Sequence, residues 1–450
     1  MSKTLSTPVS SSLQIQSLAR DTIIAIIIRV AGFVLTYLLQ ICLARWMEEV
    51  QYGIYAYVYS LTFLLSILAC VGFPYSILRF IPQYQVTEEW GLLRGIARLS
   101  WLVNFLFGVG IALIGMGVIW GINFYHTFVY ATPLMFGIWL VPLFALILLQ
   151  QSLARALGDI TLSYSPYFIF VPVLALFSAF VLFEIHHGLS GIEVIGVMMV
   201  VLLVLILGQL WLIRAKFKQT VEKAEPEYAW KEWFKVTAAM WLITGSGIVL
   251  QQTDVIMVGS ILGPEDAGVY DVAVKTSLWV SFVLQTVNMV AAPEFSRLYK
   301  QNDQQGLQQA TSAIAVWIFW PSLIISTTLV LFAPIVLNIF GSEFVGGSRS
   351  LQILAIAQLF NSFCSSVGFL MTMTGHQNQA SVVYGMAALL NVILNAIAIP
   401  LFGIMGAAIA TAISIVVWNV WLTLLVIKHV GINPLASASL FPNKTEVETG

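Results

Sequence analysis

The chain carries twelve apolar runs of 20 or more residues, near 22–45, 54–73, 96–121, 131–153, 163–184, 191–213, 236–261, 268–292, 310–340, 350–374, 379–400 and 404–427. A helix needs about 20 apolar residues to cross the hydrocarbon of a bilayer, so each run is long enough to span. The ten-residue alternation of a closed barrel is absent. Composition agrees, with 59% of the 450 residues hydrophobic and 9% charged, against about 25% charged in soluble domains. The fold class expected is therefore all-α integral membrane, with twelve transmembrane helices. A net charge of −1 gives no basic field for nucleic acid. Cys42, Cys70 and Cys364 all lie inside apolar runs, which argues against a disulfide framework or a Cys-based metal site. The first run is long and lacks a small-residue cleavage site, so no removable signal peptide is expected.

Basic residues orient the spans. Sixteen of the 20 Lys and Arg, from Lys3 to Lys444, fall on one set of loops and both termini. Arg45 and Arg349 fall on the opposite loops, and Arg29 and Lys275 lie within runs. The positive-inside rule then places both termini in the cytoplasm. The longest hydrophilic stretch reads as a linker at 214–235. It divides a cytoplasmic segment 1–21 and a first lobe 22–213 from a second lobe 236–427 and a cytoplasmic tail 428–450.

The lobes repeat. At an offset of 215, Tyr52-Gly53-Ile54-Tyr55 matches Ala267-Gly268-Val269-Tyr270, Phe80 and Tyr84 match Phe295 and Tyr299, and Gly91-Leu92 matches Gly306-Leu307. Six spans per repeat is an even number, so the lobes share an orientation and a pseudo-two-fold along the membrane normal. Two bundles rocking about a central site is the reading favoured over symmetric scaffolding.

A polar stripe crosses this apolar background. Arg29 lies about nine residues into the first run, and Gly32, Thr36 and Gln40 follow on its face. Thr244, Gly247 and Gln251 repeat that face on the seventh run, and Asp254 extends it. A buried Arg costs about 2.5–3.5 kcal/mol to insert, so something polar must meet it. An anion in a hydrated cavity is favoured over an acid in a structural bridge. Asp254 stays open between a cation or proton site and a partner for Arg29 or Lys275. Asp271 and Lys275, at i,i+4, read first as a local ion pair that borders the cavity. Arg79, Arg98, Arg155 and Arg297 would ring the cytoplasmic mouth, although the inside bias alone can place bases there. Asn361, Asn391 and Asn395 read as interhelical glue. Pro142, Pro166, Pro172, Pro321 and Pro334 should bend or break their spans. No Walker loop, nucleophile elbow or metal spacing is present, so no enzyme, metal or cofactor is expected. The short outer loops argue against a polymerase or ligase.

Ala44-Arg45-Trp46 through Glu49, then Tyr52-Gly53-Ile54-Tyr55, resembles a turn of bacterial polysaccharide flippases, with Leu262-Gly263-Pro264-Glu265 as its second copy. Ala292-Pro293-Glu294-Phe295-Ser296-Arg297-Leu298-Tyr299, Met373-Thr374-Gly375-His376 and the block from Asn391 to Ser414 continue the resemblance over nearly the whole chain. It points to Wzx-type O-antigen and exopolysaccharide flippases of the MOP exporter superfamily. The resemblance implies a V-shaped pair of six-helix lobes in a bacterial inner membrane. It implies a polyprenyl-diphosphate-linked oligosaccharide as cargo, membrane lipid around it, and a polysaccharide polymerase and glycosyltransferases as partners. Coupling to an H+ or Na+ gradient is compatible with it. Substrate contacts are then expected at Arg29, Thr36, Gln40, Gln251, Asp254, Asp271 and Lys275. The alternative is a multidrug/cation antiporter of the same superfamily with Asp254 or Asp271 as the coupling carboxylate.

Overall fold

The computed structural model describes residues 9–125 and 128–436. Lys3, Lys444 and the side chain of Thr244 lie outside the described residues. The helices are α1 (Val9–Trp46), α2 (Glu49–Ala69), α3 (Phe73–Val86), α4 (Trp90–Tyr125), α5 (Ala131–Gly137), α6 (Leu140–Ala156), α7 (Ile160–Ser165), α8 (Val171–His186) and α9 (Gly191–Thr220). They continue as α10 (Trp230–Ile261), α11 (Pro264–Lys300), α12 (Gln304–Leu331), α13 (Ala333–Asn338), α14 (Ser348–Phe363), α15 (Val367–Met373) and α16 (Gln377–Val430). Among the described residues the sole extended pairing is one bridge between Met47 and Leu189.

Local chemistry sets the ends and bends. Ser190 and Glu193 form a reciprocal capping box at the start of α9, and Asp159 accepts from the Leu162 amide at 2.9 Å to start α7. Between α7 and α8 the backbone widens into a π-turn over Pro166–Phe170, which accommodates two prolines without ending the span. Pro334 stands in the first turn of α13, just past the break at Phe332. Pro321 does not break its span as expected, because α12 runs through it; a lone missing N–H is tolerated inside a bundle. The second run also extends further than its apolar pattern indicates. Val71 and Gly72, both at positive φ, bend the chain, and α3 continues it for 14 residues.

By length and apolar content nine described helices can cross a membrane, ten if the bent stretch Ser342–Met373 counts as one. The other expected crossings fall on α10, whose apolar part is Gly247–Ile261, and on a second arm of α16. That arm exists because Gly403 leaves the helical region, with φ 61° and ψ −145°. The chain folds back there, so Asn391 donates to Thr411 at 3.5 Å across a distance that twenty residues of straight helix would stretch to about 30 Å.

Toward the face opposite the basic loops, the two halves share one core, with Leu43, Val58 and Phe144 against Val258, Tyr270 and Phe344. Toward the basic face the core divides. Phe80, Leu153 and Trp233 form one cluster, and Phe295, Leu370 and Val426 another. The seal at the face opposite the basic loops centres on the repeat-related glycines. A Cβ on Gly53 would lie 1.6 Å from the Pro264 carbonyl oxygen, and one on Gly268 would lie 3.1 Å from the Gly53 Cα. Without a strong hydrophobic drive in lipid, such backbone contact is how helices gain packing energy. Arg45 closes the rim, donating to the carbonyls of Ile339 at 2.7 Å and Asn338 at 3.0 Å. Tyr130 donates to the Gly259 carbonyl at 3.0 Å.

The linker is docked rather than loose. Its Glu227 amide donates to the Gly91 carbonyl at 2.9 Å, and Gly95 leaves room for the Glu227 carbonyl. Trp233, fully buried, donates from Nε1 to the Tyr84 hydroxyl at 2.8 Å. The foot of α10 is thereby fixed to the first half, while α10 also packs along α16.

Candidate functional site

Where the two basic-side cores part, cavities open between the halves. One, of about 290 Å³, is lined by α1, α2 and the α7–α8 bend and includes Arg29, Thr36, Gln40 and Gln251. A second, of about 280 Å³, lies in the C-terminal half and includes Gln251, Asp254, Asp271 and Lys275. The two share Gln251, Leu278 and Gln285, so they meet on α10 and α11. A third, toward the basic face, shares Arg29 and adds Arg155, Gln151 and Trp241.

Arg29 is half-buried. Its Nη1 stands 3.6 Å from the Met289 sulfur, and its guanidinium lies 5.6 Å from the centre of the Phe168 ring. Among the described residues it has no carboxylate partner. Gly32 makes this possible, since a Cβ there would meet Phe168 at 2.6 Å. Most of the charge on Arg29 is thus left facing the cavity.

Lys275 is held differently. Its ammonium lies 2.7 Å from Asp271 Oδ2 and donates to Gln40 Oε1 at 3.0 Å. The rings of Tyr52, Tyr55 and Tyr59 stand 5.9, 6.0 and 5.8 Å from it. The Tyr52 hydroxyl stands 3.0 Å from both Gln40 Oε1 and Asp271 Oδ2 and shares its one proton between them, tying α1 and α2 to α11. This ion pair is therefore a cross-half latch as well as a local i,i+4 contact. Tyr52 and Tyr55 stand out in the sequence as part of the repeat and not as part of the site; their spacing with Tyr59, three and four residues apart on α2, is the signal that puts all three on one face. Replacing Lys275 by methionine should destabilise the protein by about 3–5 kcal/mol, the cost of a buried partner left unpaired. The double variant Asp271→Leu/Lys275→Met should recover much of it, read as thermal unfolding in detergent.

Asp254 pairs with neither base. Its carboxylate accepts from Asn395 Nδ2 at 2.6 Å, from the Tyr270 hydroxyl at 3.3 Å and from the Thr411 hydroxyl. Asn395 also donates to Asn391 at 3.1 Å. The asparagines thus surround an acid rather than serve only as glue between helices. Asp254 is 4% exposed, and among the described residues no cation neutralises it. Among the described residues Arg29 on the first half is thus a base without an acid, and Asp254 on the second an acid without a base.

The four bases assigned to one mouth are dispersed, because their helix faces differ. Arg155 lines the cavity and donates to Tyr164 at 3.0 Å. Arg79 lies over the Phe80 ring. Arg98 lines a separate groove on the lipid-facing flank. Arg297 pairs with Glu294 at 2.5 Å, and hydrogen bonds from Arg297 hold that carboxyl below its ordinary value.

The profile of the polysaccharide biosynthesis protein family matches residues 18–299, and the MatE profile matches residues 246–397. An uncharacterised membrane protein of Methanocaldococcus jannaschii is 24% identical over 438 residues, 89% of this chain and 82% of that protein. A probable low-salt glycan biosynthesis flippase of Haloferax volcanii is 30% identical over 169 residues, 36% of this chain and 35% of its own length. Among solved structures, the inward-facing conformation of a multidrug resistance MATE family transporter of the MOP superfamily superposes with a TM-score of 0.74 at 12% identity. It covers 90% of this chain and 98% of that one.

Proposed function

Since the chain belongs to the polysaccharide biosynthesis protein family, we propose that it is a flippase moving a polyprenyl-diphosphate-linked oligosaccharide from the cytoplasmic to the outer leaflet. The observation that carries this reading is Arg29, an unpaired guanidinium facing a cavity lined by amides and aromatic rings. A diphosphate suits guanidinium, which makes bidentate, charge-assisted bonds. The sugars meet Gln40, Gln251 and Tyr59, while the polyprenyl tail remains in lipid. The partial match to a glycan biosynthesis flippase supports the cargo class. O-antigen or exopolysaccharide precursors are the specific cargoes proposed, with a polymerase and glycosyltransferases acting after and before it. On this reading the protein is a multi-pass transporter, not an enzyme, with both termini in the cytoplasm. Both relatives described above are archaeal, so the cytoplasmic membrane is proposed without restriction to bacteria.

The uncompensated carboxylate of Asp254 is proposed to couple transport to an H+ or Na+ gradient. Asp254→Asn, which keeps the hydrogen-bonding shape and removes the charge, should abolish gradient-driven transport while leaving cargo binding intact. Gradient-dependent transport by that variant at the wild-type rate would remove Asp254 from the coupling.

A second reading, a multidrug or cation antiporter, is favoured by the MatE match, which spans Asp254, Asp271, Lys275, Asn391 and Asn395. Purified protein in liposomes separates the two. The flippase reading expects a fluorescent diphosphate-linked glycolipid to change leaflets, read by accessibility to an impermeant quencher. No movement of the glycolipid, together with cation-driven export of a dye, would establish the antiporter instead.

A further inference from the structure

On the lipid-facing flank of the first half, α4 and α9 pack on α6 rather than on each other. A groove separates them. Along α9 its lining recurs at helical spacing from Gly196 through Leu203 and Leu210 to Phe217, a stripe roughly 30 Å long. Trp101 and Phe105 of α4 form the facing wall. Toward the basic face the groove ends among Arg94, Arg98, Arg214 and Lys218. Arg94 is already engaged, donating to the Glu222 carbonyl at 2.8 Å. Arg98, Arg214 and Lys218 are exposed and form no ion pair among the described residues.

We propose that this groove binds an anionic phospholipid of the leaflet at the basic face. Its phosphate rests against Arg98, Arg214 and Lys218, and its acyl chains lie over Trp101, Phe105 and Leu210. Positive-inside bias accounts for bases at this face, but not for three of them converging on the end of an apolar groove. A partner helix laid in the groove would leave those cations uncompensated, whereas a lipid phosphate neutralises them. The groove shares no lining residue with the cavities that hold Arg29, so it is not a branch of the transport site. A lipid seated there bridges α4 and α9 in place of a missing helix contact and stiffens the first half as one body. This assignment stands independently of the cargo.

Quenching of Trp101 by brominated acyl chains tests it. Protein is reconstituted in vesicles of phosphatidylcholine containing brominated phosphatidylglycerol or brominated phosphatidylcholine, and the Trp101 signal is the difference between wild type and Trp101→Phe. Brominated phosphatidylglycerol should quench that signal at a several-fold lower mole fraction. Removing one base by Arg98→Gln should cut the preference about fivefold. The triple variant Arg98→Gln/Arg214→Gln/Lys218→Gln should bring the two curves together. If the triple variant does not fold, the single substitution still decides. Coincident curves in wild type, or a preference unchanged by Arg98→Gln, would overturn the proposal. Absence of quenching by either lipid would show a protein occupant, and displacement of the bromolipid by added polyprenyl diphosphate would hand the groove to the cargo; each also overturns it.

Discussion

Export by an Arg29→Ala protein should fall to background while its abundance in the membrane stays at the wild-type level. Among the described residues the guanidinium has no acid to release, so its removal orphans no buried charge and should leave the fold intact. What disappears is the anchor for an anion. Two charge-assisted hydrogen bonds at about 1.5–3 kcal/mol each correspond to a loss of about two to four orders of magnitude. Arg29→Lys should recover only part of it, because a point charge cannot reproduce the planar fork. Glycolipid flipping in liposomes supplies the rate, and immunoblotting of membranes supplies the abundance. A well-expressed alanine variant that exports normally would show that the cargo's charge is met elsewhere.

A second large effect is expected at Gly53. Any side chain there meets the Pro264 carbonyl at 1.6 Å, so Gly53→Val must part α2 and α11 at the seal opposite the basic loops. Forced overpacking costs about 1–3 kcal/mol, enough to shift a two-state equilibrium about tenfold. Spin labels at Glu48 and Glu343, both exposed, should report a longer distance, and turnover should fall at least about tenfold. Gly117→Ala is the matched control, since a Cβ there meets nothing within 4 Å. An unchanged label distance in Gly53→Val would mean that the seal does not depend on this contact.

Much of this arrangement was legible in the sequence, and the residues show why. The polar stripe from Arg29 to Gln40 follows helical spacing, so its shared face could be read without a structure. The correspondence of Gly53 with Gly268 was visible as a repeat, but their direct contact was not, because a repeat gives equivalence and not proximity. Pro321 misled, since proline weakens a helix locally and the neighbours decide whether it ends. The surroundings of Asp254 escaped for a different reason. Its partners Asn391, Asn395 and Thr411 lie on the arms of a hairpin made by Gly403, and a glycine between two apolar runs does not announce where the arms will register. The dispersal of Arg79, Arg98, Arg155 and Arg297 was equally hidden, as inside bias assigns a side of the membrane and not a helix face.

The burial of Trp233 in the core of the first half has a practical consequence for taking the protein apart. This residue stands in the first turn of α10, yet it packs with Phe80 and Leu153. A chain severed within 221–229 would yield a second fragment that carries at its start a plug matching a socket in the first. Two such fragments, expressed from separate genes, should find each other in the bilayer and restore transport without a peptide bond between them. A cut placed after Val236 would leave the plug on the wrong piece, and those fragments should recombine poorly.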